Sequence, residues 1–122
     1  MKAFEPSINA AELQENASKA THLLKAMANE WRLLILCQLA MGEKSVGELE
    51  GLIGLSQSAL SQHLAVLRRE NLVGTRREAQ CIYYSLSSNE AEAIMGTLYT
   101  LFCQSDACKN MAEAQGGMKV TA

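Results

Sequence analysis

Two groups of residues in this 122-residue chain have side chains suited to chemistry or recognition. The first is a set of four cysteines, Cys37, Cys81, Cys103 and Cys108, at spacings of 44, 22 and 5. None forms a Cys-x-x-Cys pair, so neither a thioredoxin-type dithiol nor a zinc ribbon is indicated. The second is a run holding Ser56, Gln57, Ser58, Ser61 and Gln62, followed by Arg68, Arg69, Arg76 and Arg77. Hydroxyls, amides and guanidinium groups are the side chains that reach base edges and phosphates.

The charge distribution isolates that second group. Residues 1–55 carry 5 basic and 7 acidic side chains, and residues 81–122 carry 2 and 4. Residues 56–80 carry four arginines against Glu70 and Glu78, a local excess of +2 in a chain of net charge −2. One basic segment in an acidic protein suggests a local anionic partner, although a solvated charged face would give the same count.

Length and composition set the frame. One domain is expected, and 48% hydrophobic residues exclude wholesale disorder. The uncharged run over residues 93–105 has 13 positions, short of the roughly 20 that a membrane span needs. Residues 1–16 show no basic start followed by an apolar stretch, so no signal peptide is read. The expectation is a cytoplasmic domain without membrane contact, whose cysteines begin as thiols.

The elements that must position these residues follow from periodicity. Residues 1–10 read as a loose tail, and from Ala11 apolar Leu13, Ala17, Ala20, Leu23, Leu24 and Met27 recur at helical spacing. Asn29 fits a cap for a second helix over residues 30–40, with Leu33, Leu36, Cys37 and Ala40 on one side and Gly42 ending it. Ser45-Val46-Gly47-Glu48 is a capping box opening a short helix through Leu49, Leu52 and Ile53, which Gly54 stops. Ser56 then caps another helix, with Leu55 and Leu60 as its hydrophobic staple. Helix, four-residue turn with glycine, helix is a helix-turn-helix spacing.

The second helix of that pair has a divided surface. Leu60, Leu64 and Leu67 share one stripe, while Ser58, Ser61, Gln62, Ala65 and Arg69 lie opposite. His63, at the edge of the apolar stripe, reads as a packing residue. After Asn71 the period becomes strand-like. Residues 72–77 and 81–86 can pair as a hairpin around Glu78-Ala79-Gln80, with Ile82, Tyr84 and Leu86 on one face and Arg76 and Arg77 near the tip. A last helix begins after Ser88, with Ile94, Leu98, Leu101 and Phe102 on one stripe and Met95, Tyr99 and Cys103 on another. The first and last helices hold more apolar positions than a small core can bury, so a homodimer is expected.

These segments resemble the ArsR/SmtB family of winged-helix repressors over roughly residues 13–105. The resemblance is carried by Leu23-Leu24-Lys25-Ala26-Met27-Ala28-Asn29-Glu30, Arg32-Leu33-Leu34-Ile35-Leu36, Ser45-Val46-Gly47-Glu48-Leu49 and Leu55-Ser56-Gln57-Ser58-Ala59-Leu60-Ser61-Gln62-His63-Leu64. The wing residues 75–77 and 83–86 complete it. It implies a mainly α fold of about five helices with a two-stranded β-hairpin wing, forming residues 11–105 between loose tails at 1–10 and 106–122. It also implies a homodimer on double-stranded DNA, its reader helices entering a palindromic operator about 34–36 Å apart. Ser56, Gln57, Ser58, Ser61 and Gln62 are then the base-facing and helix-start candidates, and Arg69, Arg76 and Arg77 the phosphate contacts.

Departures from the family pattern bear on what is sensed. The Cys-x-Cys pair of arsenic- and cadmium-sensing members is replaced by Ser45-Val46-Gly47-Glu48, and residues 88–105 hold only Glu90 and Glu92 where zinc-sensing members place Asp, His and Glu. No metal site and no cofactor are expected. The remaining pair, Cys37 and Cys103, resembles the thiol- and persulfide-sensing subgroup (the SqrR/BigR/YgaV/HlyU type), which responds to reactive sulfur species or oxidants. By that resemblance, modifying Cys37 and Cys103 switches operator binding off. Without the resemblance both would read as small buried hydrophobes. Two other readings stay open. One is a metal or metalloid regulator with thiolates from Cys37, Cys103 and Cys108; the other is a redox-sensitive antirepressor. An enzyme is not expected, since no catalytic base or cleft accompanies the thiols.

Overall fold

Asn9 opens the first helix, its Oδ1 accepting from the Glu12 backbone N–H at 2.8 Å while the Glu12 carboxylate takes the Asn9 N–H. This capping box starts α1 (Ala10–Met27) one residue earlier than the apolar period suggests. The computed structural model describes residues 9–102. Residues 1–8, Cys103, Cys108 and the expected tail at 106–122 lie outside them, while Asn9 and Ala10, expected in the loose tail, open α1.

Asn29 caps α2 (Glu30–Ala40) by accepting from the N–H groups of Trp31 and Arg32. One-sided burial was expected of this helix, and the structure corrects that. Ile35, Leu36, Gln38 and Leu39 are all buried, Leu33 and Cys37 are half-buried, and Ala40 is exposed. The reason is its central position, with α1, α3, α4, α5 and β3 all packed against it. No helix among the described residues is long and apolar enough to cross a membrane.

The order continues β1 (Lys44–Ser45), α3 (Val46–Ile53), α4 (Gln57–Arg69), β2 (Val73–Glu78), β3 (Cys81–Leu86) and α5 (Asn89–Phe102). The sheet has three strands in the order β1-β3-β2, all antiparallel, where the sequence suggested two. Two residues of β1 carry no alternation to recognise; they become a strand because Lys44 and Ser45 lie beside Tyr84 and Tyr83. The hairpin loop is also tighter than expected. Glu78 pairs with Cys81, leaving only Ala79-Gln80 to turn, with Ala79 at φ 57°.

The core joins all layers. Ile35, Leu36, Leu49, Leu60, Leu64, Leu67 and Leu72 are its largest fully buried side chains. On α5 the core-facing positions are Ala91 and Met95, with Ile94 half-buried, while Leu101 and Phe102 are 68% and 67% exposed. Leu24 on α1 is likewise 52% exposed.

Candidate nucleic-acid interface and thiol positions

The helix-turn-helix is built by local chemistry. Ser45 Oγ accepts from the Glu48 N–H at 3.2 Å and the Glu48 carboxylate accepts from the Ser45 N–H at 2.8 Å, which fixes the start of α3. Gly54 ends it at φ 89°, a left-handed conformation that other L residues adopt at a cost. Ser56 Oγ then accepts from the Ala59 N–H at 3.3 Å and starts α4. Three residues therefore separate the two helices, one fewer than the sequence suggested. Leu55 and Leu60 both join the core, as a staple requires.

At its far end α4 closes in a Schellman motif. The Asn71 N–H donates to Arg68 O at 3.0 Å and the Leu72 N–H to Leu67 O at 2.9 Å, with Asn71 at φ 63°. Leu67 and Leu72, the apolar pair of that motif, are both buried. The chain is thereby aimed from the helix directly into the hairpin.

Between these ends, Leu60, Leu64 and Leu67 are buried while Gln57, Ser58, Ser61, Gln62, Ala65, Arg68 and Arg69 are exposed. The first turn holds no acidic residue, so the positive end of the helix dipole is not offset there. An open groove of about 440 Å³ runs between α4 and the hairpin, lined by Ser61, Ala65, Arg68, Arg69 and Tyr84. Arg68 was counted in the basic segment but not among the expected phosphate contacts, and Tyr84 was read only as part of one hairpin face. Arg68 follows Ser61 and Ala65 on one helical stripe, a periodicity that marks it; nothing local marks Tyr84. The surface pairs small hydroxyls with guanidinium groups, which suits base edges flanked by phosphates.

The hairpin separates its two arginines. Arg76 lies opposite Tyr83, and Arg77 opposite Ile82. Alternation puts Arg77 on the face of Tyr84, which lines the groove, and Arg76 on the other face. There Arg76 Nε and Nη2 donate to Glu43 at 2.7 and 2.8 Å, and its Nη1 donates to Glu78 at 2.7 Å. These bonds hold the Glu43 carboxyl below its ordinary pKa and push the Arg76 guanidinium further up. Glu43 was also unmarked in the sequence. Tyr83, beneath Arg76, has its phenol raised, chiefly by the charge and hydrogen bond of Cys81.

Of the thiols, Cys37 is half-buried on α2 against the core and Cys81 is exposed at the start of β3. His63 is half-buried and its Nδ1 lies 3.4 Å from Arg32 Nη1, a packing position as the sequence suggested. No group of three or more metal-ligating side chains occurs among the described residues.

A helix-turn-helix followed by a three-stranded wing narrows the comparison with known proteins. Residues 29–75 match the model of the bacterial regulatory protein arsR family. The chain is 57% identical over 99 residues to the transcriptional activator HlyU of Vibrio cholerae, spanning 81% of this chain and 92% of that one. The chain belongs to the ArsR family. Another relative in this family, the biofilm growth-associated repressor of Xylella fastidiosa, is 41% identical over 98 residues, covering 80% and 86% of the two chains. The structure of reduced HlyU from V. cholerae N16961 superposes with a TM-score of 0.73 at 59% identity, covering 76% of this chain and 98% of that one. This ArsR-family chain is therefore a transcriptional regulator, not an enzyme. Its named relatives include both an activator and a repressor.

Proposed function

We propose that this chain is a cytoplasmic homodimer that holds a palindromic DNA operator while its thiols are reduced. It releases the operator when reactive sulfur species or an oxidant modify Cys37 and Cys103. The DNA half of this reading is carried by the exposed face of α4 beside the wing groove. Ser58, Ser61 and Gln62 reach base edges there, Ser56 and Gln57 meet the backbone at the helix start, and Arg69 and Arg77 meet phosphates. Arg76, already bonded to two carboxylates, must leave both to reach a phosphate. Exposed Leu24, Leu101 and Phe102 supply apolar surface for the partner copy.

The switch half is supported by the family resemblance and by the position of Cys37, on a helix packed against α5. A relative described as reduced HlyU accords with thiol chemistry. One thiolate takes the outer sulfur of a persulfide and the donor leaves as its thiolate. The second cysteine attacks the modified one and expels hydrosulfide, giving a disulfide; where both cysteines carry a persulfide, the outer sulfur of one attacks the cysteine-bound sulfur of the other and expels hydrosulfide, giving a trisulfide bridge. A direct disulfide requires Cα atoms about 4.4–6.8 Å apart. Since α2 is packed against α4, a cross-link from Cys37 on α2 to Cys103, the next residue in sequence after α5, biases how the reader helices sit. Loss of DNA affinity makes the chain a repressor in this reading, or an antirepressor where it displaces another DNA-binding protein.

Intact-mass and peptide mass spectrometry of reduced protein treated with a persulfide donor, alongside a DNA titration, tests this. A Cys37–Cys103 bridge forming in parallel with loss of DNA affinity is expected. Unmodified thiols with DNA binding intact overturn the switch and leave the regulator assignment standing.

A further inference from the structure

The wing places its two arginines in different environments. Arg76 lies on the sheet face of Tyr83 and, by alternation, of Ser45 and Glu43, since Lys44 lies beside Tyr84 and Ser45 beside Tyr83. Its side chain starts on the outer strand β2 and crosses the central strand, its guanidinium carbon 4.7 Å above the Tyr83 ring. It ends on both Glu43 oxygens, in the loop that joins α2 to β1. Glu78 takes a third donor. Three of the five N–H groups are thus committed, and the two carboxylates leave the trio with a net negative charge. Arg77 lies on the opposite face, exposed and without an ion pair among the described residues.

We propose that Arg76 braces the wing against the helix-turn-helix, with Glu43 as its positioning residue, and that Arg77 alone makes the hairpin's phosphate contact. The brace acts across the sheet. A hairpin of six-residue strands whose packing against β1, α2, α3 and α4 leaves the tip residues 76–82 exposed can swing at that tip. A bidentate carboxylate bond from the tip strand to the loop before β1 removes that freedom. The ring of Tyr83 fills the space beneath the guanidinium and fixes its plane. Arg77, on the Tyr84 side, is then held at a constant height beside Arg68 and Arg69.

The proposal rests on the nucleic-acid reading of the α4 face, and its test separates the two. Affinity of the full chain for a fluorescently labelled mixed-sequence duplex is measured against salt, because each neutralised phosphate adds about 0.9 to the slope of log affinity on log salt. Arg77→Gln lowers the slope by about 0.9 for each phosphate it no longer neutralises, whereas Arg76→Gln and Glu43→Gln leave it unchanged. Both brace variants instead speed exchange of those amides that bond between β2 and β3 near the tip by about two- to fivefold, the range for exposed ion pairs. A reduced slope in Arg76→Gln overturns the proposal. So does stronger binding with a steeper slope in Glu43→Gln, which would make Glu43 a competitor of DNA. Unchanged exchange in both variants also overturns it. A wild-type chain without salt-dependent DNA binding overturns the nucleic-acid reading itself, while the exchange measurement still decides the brace.

Discussion

Arg32 on α2 and His63 on α4 meet through Nη1 and Nδ1 at 3.4 Å, and two further donors of Arg32 bond carbonyls in the last turn of α1. Its Nε donates to Ala26 O and its Nη2 to Lys25 O. One half-buried guanidinium thus ties together the end of α1, the start of α2 and the middle of α4. A guanidinium carries only donors, so in this contact Arg32 donates and His63 Nδ1 accepts.

Replacing Arg32 with alanine is expected to destabilise the fold by about 1.5–3 kcal/mol, the range for hydrogen bonds from a charged group. Arg32→Lys keeps the charge but not the fork, and recovers only part of the loss. Urea denaturation of the three proteins checks this; a loss for alanine within error of zero would show that the carbonyls are satisfied by water instead.

At Gly54 the backbone has φ 89° and a Cβ would meet nothing within 4 Å. Gly54→Ala therefore isolates the conformational cost from any clash. A loss of about 1–2 kcal/mol is expected, the cost of the left-handed conformation for an L residue. Chemical denaturation measures it, and a neutral substitution would mean the helix end relaxes to another turn.

Gln62 is exposed on the face of α4 beside the groove. Under the proposed function, Gln62→Ala weakens binding to an operator selected from a random-sequence pool by about 1–3 kcal/mol, the worth of a bidentate bond to a base edge. Affinity for mixed-sequence DNA changes little. Equal losses on both duplexes would remove Gln62 from base recognition.

The Glu43 carboxyl is held below its ordinary pKa of 4.5, first by its hydrogen bonds from Arg76 and also by that residue's charge. A carboxylate lowered in the folded state contributes fully above the unfolded pKa and loses its contribution as pH falls through the folded value. The wing contact is therefore intact at neutral pH and opens only in acid below about 4.5. Carbon-detected NMR titration is expected to place the Glu43 midpoint below the ordinary carboxylate range, and Arg76→Gln to return it there. A normal midpoint in the wild-type chain would show the pair to be open in solution.

The local features were legible because each is a short-range event. The Ser45–Glu48 capping box, the stop at Gly54, the cap at Ser56 and the stripe of Leu60, Leu64 and Leu67 each rest on residues within a turn or two of one another. The box at Asn9 and the Schellman end at Asn71 are as local, but their residues sit among equally polar neighbours and no apolar stripe advertises them. The departures are of another kind. Neither the burial of α2 on more than one side at residues 35–39 nor the pairing of Lys44 and Ser45 follows from their own neighbours in sequence.

By itself the sequence determined the caps at Asn29, Ser45 and Ser56, the stop at Gly54 and the apolar stripe of α4, because hydrogen bonds and periodicity over a few residues specify them. Tertiary structure alone decided that α2 is central, that Ala91 and Met95 are the face of α5 that meets the core, and that Arg76 and Arg77 part company. Adjacent arginines are equivalent in composition and charge. They differ because a strand sends successive side chains to opposite faces, and only the folded sheet puts Glu43 on one face and the α4 groove on the other.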